Sequence, residues 1–169
     1  MKGVLLGGWM VGQVTICLIL FLVDMVIEML SYGMLISGLI MFAALLSGFK
    51  ATYGRYSQHS HLPVPLIPAR WAWFIQELPS LCIPLHYLIT GISGLPLINA
   101  FILTLFCSHY INRALIYPFL MKGSTGTPAH IFLLALLFCT VNGCVQAIWH
   151  SRNAVYNESL KDSVFCCIG

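Results

Sequence analysis

Apolar residues along the chain fall into five stretches separated by short polar connections. The first runs from Val4 to Val23, and the second, Met29 to Phe49, contains no charged residue. About 20 apolar residues are enough for a helix to cross a hydrocarbon layer, so each predicts a membrane-spanning helix. The third, Trp71 to Thr90, is interrupted by Gln76, Glu77, Pro79 and Pro84. That pattern predicts a kinked span or a helix lining a polar cavity. The fourth runs from Leu95 to about Tyr117 and the fifth from Ala129 to Trp149. The connections, notably Gln58 to Pro68 and Lys122 to Pro128, are rich in Gly, Pro, Ser and Thr, as loops between helices should be. The expected fold class is therefore all-α: a polytopic transmembrane helical bundle of about five hydrophobic helices.

Composition agrees. Hydrophobic residues make up 59% of the 169 and charged residues 8%, against about 25% charged in an ordinary soluble domain. Mean hydropathy is +0.90. The net charge of +3 comes from eight Lys and Arg scattered singly, with no basic run to follow a phosphate backbone, which excludes nucleic acid as an expected partner. Their positions predict orientation, because positive connections stay in the cytosol. Lys50, Arg55 and Arg70 fall in one connection, and Arg113 and Lys122 lie in or beside the connection two spans later. The intervening Asp24 to Glu28 and Gly91 to Gly94 carry no Lys or Arg. The alternation fits five crossings with a cytosolic amino terminus and a lumenal tail, where Asn157-Glu158-Ser159 forms a glycosylation triplet. Lys2 followed by an apolar run resembles a signal peptide. The length of the run and the lack of a small-x-small cleavage site favour a retained helix instead.

Several kinds of chemistry find no support. The seven cysteines lack paired zinc spacings and read as small buried hydrophobes. His86, His109 and His130 are too dispersed for a metal site, so no metal is expected. Lys122-Gly123-Ser124-Thr125-Gly126-Thr127 places its lysine before the glycines, the wrong order for a phosphate loop, and no G-x-G-x-x-G occurs. Gly3 and Gly7, and Gly8 and Gly12, have a spacing that lets membrane helices approach closely, a weak signal by itself. Cys166-Cys167-Ile168-Gly169 has the outline of a prenylation box but ends in the wrong residue.

Glu77 is the most informative residue. It lies in Trp73-Phe74-Ile75-Gln76-Glu77-Leu78-Pro79, where a bare carboxylate costs about 2–4 kcal/mol to insert, so an acid there points to function. The bland alternative is an interfacial glutamate reaching up to headgroups. Shut away from water, the carboxyl would favour its neutral form, a hydrogen-bond donor suited to polarising a ketone; a charged carboxylate paired with Arg113 is the other state the sequence leaves open. A second group is Tyr110, Arg113 and Tyr117, at i, i+3 and i+7, which a helix would gather on one face. The alternative is that Tyr and Arg simply mark the membrane interface.

Tyr53-Gly54-Arg55-Tyr56 and Pro68-Ala69-Arg70-Trp71-Ala72-Trp73-Phe74-Ile75-Gln76-Glu77-Leu78-Pro79-Ser80 resemble the steroid 5-alpha-reductase family, on its type 1 branch. The likeness continues through Leu105-Phe106-Cys107-Ser108-His109-Tyr110-Ile111-Asn112-Arg113, Leu115 to Gly123, and Phe138-Cys139-Thr140-Val141-Asn142-Gly143. Fainter echoes persist in Ala154-Val155-Tyr156 and Lys161-Asp162. The resemblance implies a multi-pass enzyme of the endoplasmic-reticulum membrane that reduces the 4,5 double bond of 3-oxo-4-ene steroids with NADPH. It implies that Glu77 and Tyr110 are catalytic, facing the steroid 3-ketone, and that Trp73, Gln76, Arg113 and Tyr117 bind the substrate. Hydride arriving at carbon 5 pushes charge onto the ketone oxygen, which two donors would stabilise.

The resemblance covers roughly Met29 to Phe165, so three segments are expected: an extra amino-terminal hydrophobic helix over 1–28, the reductase-like membrane domain over 29–165 and a short tail over 166–169. Family members continue through further helices that hold NADPH. The chain is therefore expected to lack the cofactor-binding half and to be inactive alone. The alternative function is a noncatalytic sterol-binding or regulatory membrane protein that pairs with a full-length reductase.

Overall fold

The computed structural model describes residues 2–48, 65–91, 93–122 and 126–156, with only the backbone described for 2–14. The Tyr53-to-Tyr56 motif, Lys50, Arg55, the glycosylation triplet and the cysteine-rich tail lie outside the described residues. The structure is mostly helical, and contacts divide it into two units, Met1–Ile40 and Met41–Gly169.

Helix α1 (Lys2–Leu46) occupies the first unit and runs on past it. It continues without a break through Asp24 to Glu28, where the sequence pattern predicts a connection between two spans. The reason is local: no Gly or Pro lies between Gly12 and Gly33, and Asp24-Met25-Val26-Ile27-Glu28 offers nothing to stop an established helix. From Thr15 to Leu46 the helix is apolar and mostly exposed.

In the second unit, α2 (Ala69–Gly91), α3 (Leu97–Tyr110) and α5 (Ala129–Ile148) form the packed body, and α2 contacts α5 most extensively and α3 next. Each of the three begins directly after a proline, Pro68, Pro96 or Pro128. A residue locked near φ −65° with no N–H to donate suits a helix start. The carbonyls of Pro68 and Pro96 accept the N–H of Ala72 and Ala100, both at 3.0 Å. The predicted boundaries of the third and fifth stretches agree with α2 and α5 to within two residues.

The fourth stretch is helical along its length but changes type. After α3 the backbone opens into a π turn over Ile111–Ile116 and closes again as the short helix α4 (Tyr117–Leu120). Within the wider turn the Tyr117 N–H reaches the Asn112 carbonyl five residues back. Pro118 follows immediately, and its ring would collide with the carbonyl four residues earlier in a regular α-helix. A second π turn, Trp149–Asn153, follows α5. Two residues of antiparallel ladder, β1 (Leu66–Ile67) with β2 (Thr127–Pro128), tie together the starts of α2 and α5, a feature the sequence pattern does not predict. Gly126 precedes β2 with φ +98°, and a Cβ there would sit 3.2 Å from the Ile67 carbonyl oxygen, so glycine suits the position twice over.

Two helices of the described residues, over Thr15–Leu46 and Ala129–Asn153, are long and apolar enough to cross a membrane.

Candidate active site

The face that α2 turns inward carries Ala72, Gln76, Glu77 and Ser80, all buried. Spacings of four, one and three residues place these on one side of a 3.6-residue helix. Opposite them, α5 presents Cys139, Gly143 and Ala147, a row of small buried residues one turn apart. Small side chains let the two backbones close up. At the closest point a Cβ on Gly143 would lie 2.8 Å from the Pro79 carbonyl oxygen and 3.1 Å from the Ser80 Cα. Ser80 Oγ donates to the Cys139 carbonyl at 2.7 Å, a hydrogen bond directly between the helices.

Glu77 sits in this seam, 2% exposed. It is not a solitary acid. Arg113 Nε, from the π turn, lies 2.9 Å from Glu77 Oε2. The Cys139 thiol donates to the same oxygen at 3.6 Å. The interfacial reading of Glu77 gives way to a buried one, and of the two states the sequence leaves open, a neutral acid and a carboxylate paired with Arg113, the second has its contact in the structure. Both contacts fall on Oε2. The Arg113 side chain is 42% exposed, so the pair has one buried end and one open end.

Arg113 also spans the face of Trp73, its guanidinium carbon 4.9 Å from the ring centroid. Tyr117 meets the same indole edge-on, with centroids 5.3 Å apart. Trp73, Glu77, Arg113 and Tyr117 thus form one connected group drawn from α2, the π turn and the start of α4. Gln76 is beside them in sequence and 6% exposed, and its Oε1 has no hydrogen-bond partner among the described residues. A buried amide oxygen without a donor is costly, which marks the spot as one built to meet something.

Tyr110, the last residue of α3, turns a different way. It is 8% exposed, its ring packs 4.7 Å from Phe106, and its hydroxyl accepts a hydrogen bond from Asn142 Nδ2 of α5 at 3.0 Å. It lies close enough to Glu77, Cys139 and Arg113 to interact electrostatically with all three. The i, i+3, i+7 face expected for Tyr110, Arg113 and Tyr117 is resolved by the π turn. Arg113 and Tyr117 converge on Trp73, while Tyr110 points to α5. Ser80, Cys139 and Asn142 were not singled out as site residues from the sequence, although all three lie inside the motifs that carry the family resemblance.

A second polar group lies at the far end of α5. Asn99 Nδ2 donates to the carbonyls of His150 and Ala154 at 2.8 and 2.9 Å, and Tyr156 pairs its hydroxyl with His150 Nδ1 at 2.9 Å. Burial pushes the Tyr156 phenol above its ordinary value. These bonds anchor the second π turn and share no residue with the Glu77 group. Among the described residues, no cluster of His, Cys, Asp and Glu could hold a metal ion.

A buried acid, a guanidinium and a phenol lie together between α2, the π turn and α5. Comparison with known proteins finds the chain similar to the 3-oxo-5-alpha-steroid 4-dehydrogenases, a family of oxidoreductases. It is 46% identical over 110 residues to the type 1 protein of Rattus norvegicus, a match spanning 63% of this chain and 41% of that protein. For the type 1 protein of Homo sapiens the figures are 40% over 112 residues, 64% and 42%. For the type 2 protein of Rattus norvegicus they are 39% over 114 residues, 66% and 44%. The chain thus spans less than half the length of these relatives. No family model matches it.

Proposed function

We propose that this chain supplies the steroid-facing part of a 5-alpha-reductase site, serving NADPH-dependent reduction of the 4,5 double bond of 3-oxo-4-ene steroids. The observation that carries the reading is Glu77, buried to 2% exposure, held at 2.9 Å by Arg113 and flanked by the unpartnered Gln76 Oε1. The activity for which its homologues are named supplies the substrate class.

The chemistry asked of these residues is stabilisation of charge that builds on the steroid 3-oxygen during reduction. Tyr110 and Glu77 are the catalytic residues in this scheme. The Tyr110 oxygen already accepts from Asn142, so its own proton is the one to donate. Glu77, in contact with Arg113 and Cys139 through Oε2, is the second catalytic group, held at the ligand oxygen by that ion pair. Preorganised donors in a site shielded from water gain strength that they lack in solution. Trp73 and Tyr117 offer flat apolar surface for the rings, Arg113 fixes the acid, and the Gln76 amide is placed to meet a polar group.

NADPH is the reductant the reading requires. A dinucleotide pyrophosphate needs several N–H groups or cations in one place. At this site the one cation among the described residues is Arg113, and Glu77 already engages it. These residues fit the steroid and not the dinucleotide, so no step is assigned to them through the cofactor. A second reading is a noncatalytic sterol-binding or regulatory protein that associates with a full-length reductase. Both readings put the chain in the endoplasmic-reticulum membrane as a multi-pass protein; two long apolar helices among the described residues support a membrane setting, and the count of about five crossings rests on the sequence pattern and its alternating positive connections.

The test is binding of tritiated testosterone to the full chain purified in detergent, against 5α-androstane-3,17-diol as competitor. Saturable binding with a clear preference for the 3-ketone is expected, and Glu77→Gln should reduce that preference. Equal affinity for ketone and alcohol would sink both readings. Addition of NADPH then separates them, because a 5α-dihydro product requires the catalytic one.

A further inference from the structure

Of the helices around the site, α5 contributes none of the proposed catalytic or substrate-binding residues, yet two of its side chains touch the catalytic pair. Cys139 reaches Glu77 Oε2 at 3.6 Å and Asn142 reaches the Tyr110 hydroxyl at 3.0 Å. They stand three residues apart, on the same side of α5 as Gly143, whose missing side chain brings the helix onto α2. The Asn142 contact has a definite polarity. The amide nitrogen is donor only, so it occupies a lone pair of the phenol oxygen and cannot take the phenol proton.

We infer that Asn142 is a positioning residue that fixes Tyr110 as a hydrogen-bond donor toward the ligand oxygen. The inference rests on the proposed steroid-facing role of Tyr110. A phenol is both donor and acceptor, and its proton turns to whichever acceptor lies nearest. With the Asn142 N–H on one lone pair, the O–H turns away from α5 toward α2, where Ser80 also lies within hydrogen-bond reach of the phenol and Glu77 lies nearby. Hydrogen bonding to the phenol oxygen also polarises the O–H bond, which strengthens the bond that Tyr110 can give. Burial at 8% exposure limits competition from water. Thr140, two residues before Asn142 and turned to another side of the same helix, serves as an internal contrast: its hydroxyl bonds to the Leu136 carbonyl of its own helix at 2.7 Å.

Two substitutions separate orientation from structure. Asn142→Leu removes the amide donor. Asn142→Asp keeps the size but replaces the donor with an acceptor, which would capture the phenol proton. The first measurement uses no ligand: the full chain in detergent, labelled with 13Cζ tyrosine and assigned at Tyr110 through Tyr110→Phe. The Tyr110 resonance should move in opposite directions in the Leu and Asp variants and stay in place in Thr140→Val. The second measurement is the infrared carbonyl stretch of testosterone labelled with 13C at carbon 3. The lowering seen with the unaltered chain should be cut by more than half in Asn142→Leu and further in Asn142→Asp, with affinity falling less than about tenfold.

A Tyr110 resonance unchanged in both variants would overturn the inference. So would a Tyr110 shift in Thr140→Val as large as in Asn142→Leu, since that is the mark of general repacking. A full carbonyl lowering retained in Asn142→Asp would overturn it as well. Failure of the unaltered chain to bind testosterone would sink the functional reading of the site, and the ligand-free resonance would still decide whether Asn142 sets the phenol.

Discussion

A carboxylate inside an apolar seam is stable only if something offsets the water it has lost, and at Glu77 that something is Arg113 at 2.9 Å. Removing one member of such a pair exposes the other to the full desolvation cost. We expect Arg113→Met to destabilise the protein by about 2–3 kcal/mol, toward the low end for a buried pair because the guanidinium is half exposed. Glu77→Gln leaves an amide that needs no counter-ion and should cost less. The double variant should then recover at least about 1 kcal/mol relative to the sum of the single changes. Thermal unfolding of the four proteins in the same detergent reads the coupling, and simple additivity would show that the two side chains are not energetically paired. At this scale the sequence disclosed the acid and not its environment. Tryptophan, glutamine and glutamate in Trp73-Phe74-Ile75-Gln76-Glu77 announce a polar interruption of an apolar helix. Arg113, 36 residues on, is the cation the sequence offers to it, but no spacing rule decides between that pair and a neutral acid.

Elements that follow a regular period were the legible ones. Third and fifth apolar stretches became α2 and α5 nearly to the residue, because a proline precedes each and an unbroken hydrophobic run follows. The fourth stretch shows where periodic reasoning stops. A 3.6-residue period puts Tyr110, Arg113 and Tyr117 on one face, but the π turn over Ile111–Ile116 holds more residues per turn and rotates each successive side chain less. That slower rotation is how Arg113 and Tyr117 come to share Trp73 while Tyr110 faces α5. The α2–α5 contact makes a sharp prediction at the same scale. Gly143→Ala places a methyl 2.8 Å from the Pro79 carbonyl oxygen, a backbone atom that cannot step aside. A cost of about 1–3 kcal/mol is expected from the forced separation of the helices. Ser80→Ala loses one 2.7 Å hydrogen bond to the Cys139 carbonyl and should cost about 1 kcal/mol. The two effects should be less than additive, since a helix already pushed away has no bond left to lose. Equal stability of Gly143→Ala and the unaltered chain would mean that α5 does not sit this close to α2.

For the molecule as a whole the open issue is how α1 meets a bilayer. Its 45 residues form one helix, about 67 Å long at 1.5 Å per residue, whereas a hydrocarbon core is about 30 Å thick. Asp24 and Glu28 lie near its middle, one turn apart, so a helix crossing once must put two acids in or near the membrane or shift them out to one side. The charge pattern points elsewhere: Lys50, Arg55 and Arg70 in the connection that follows favour its retention in the cytosol, together with Lys2 at the amino end. Both ends on one side demand an even number of crossings, so the acids would mark a turn formed at the lumenal surface. A glycosylation acceptor placed in the 49–64 connection distinguishes the two arrangements in microsomes. The five-crossing reading predicts that this acceptor stays unmodified, whereas an acceptor appended after Asn153 gains a glycan. A single crossing by α1 reverses both results, because every later segment then changes sides.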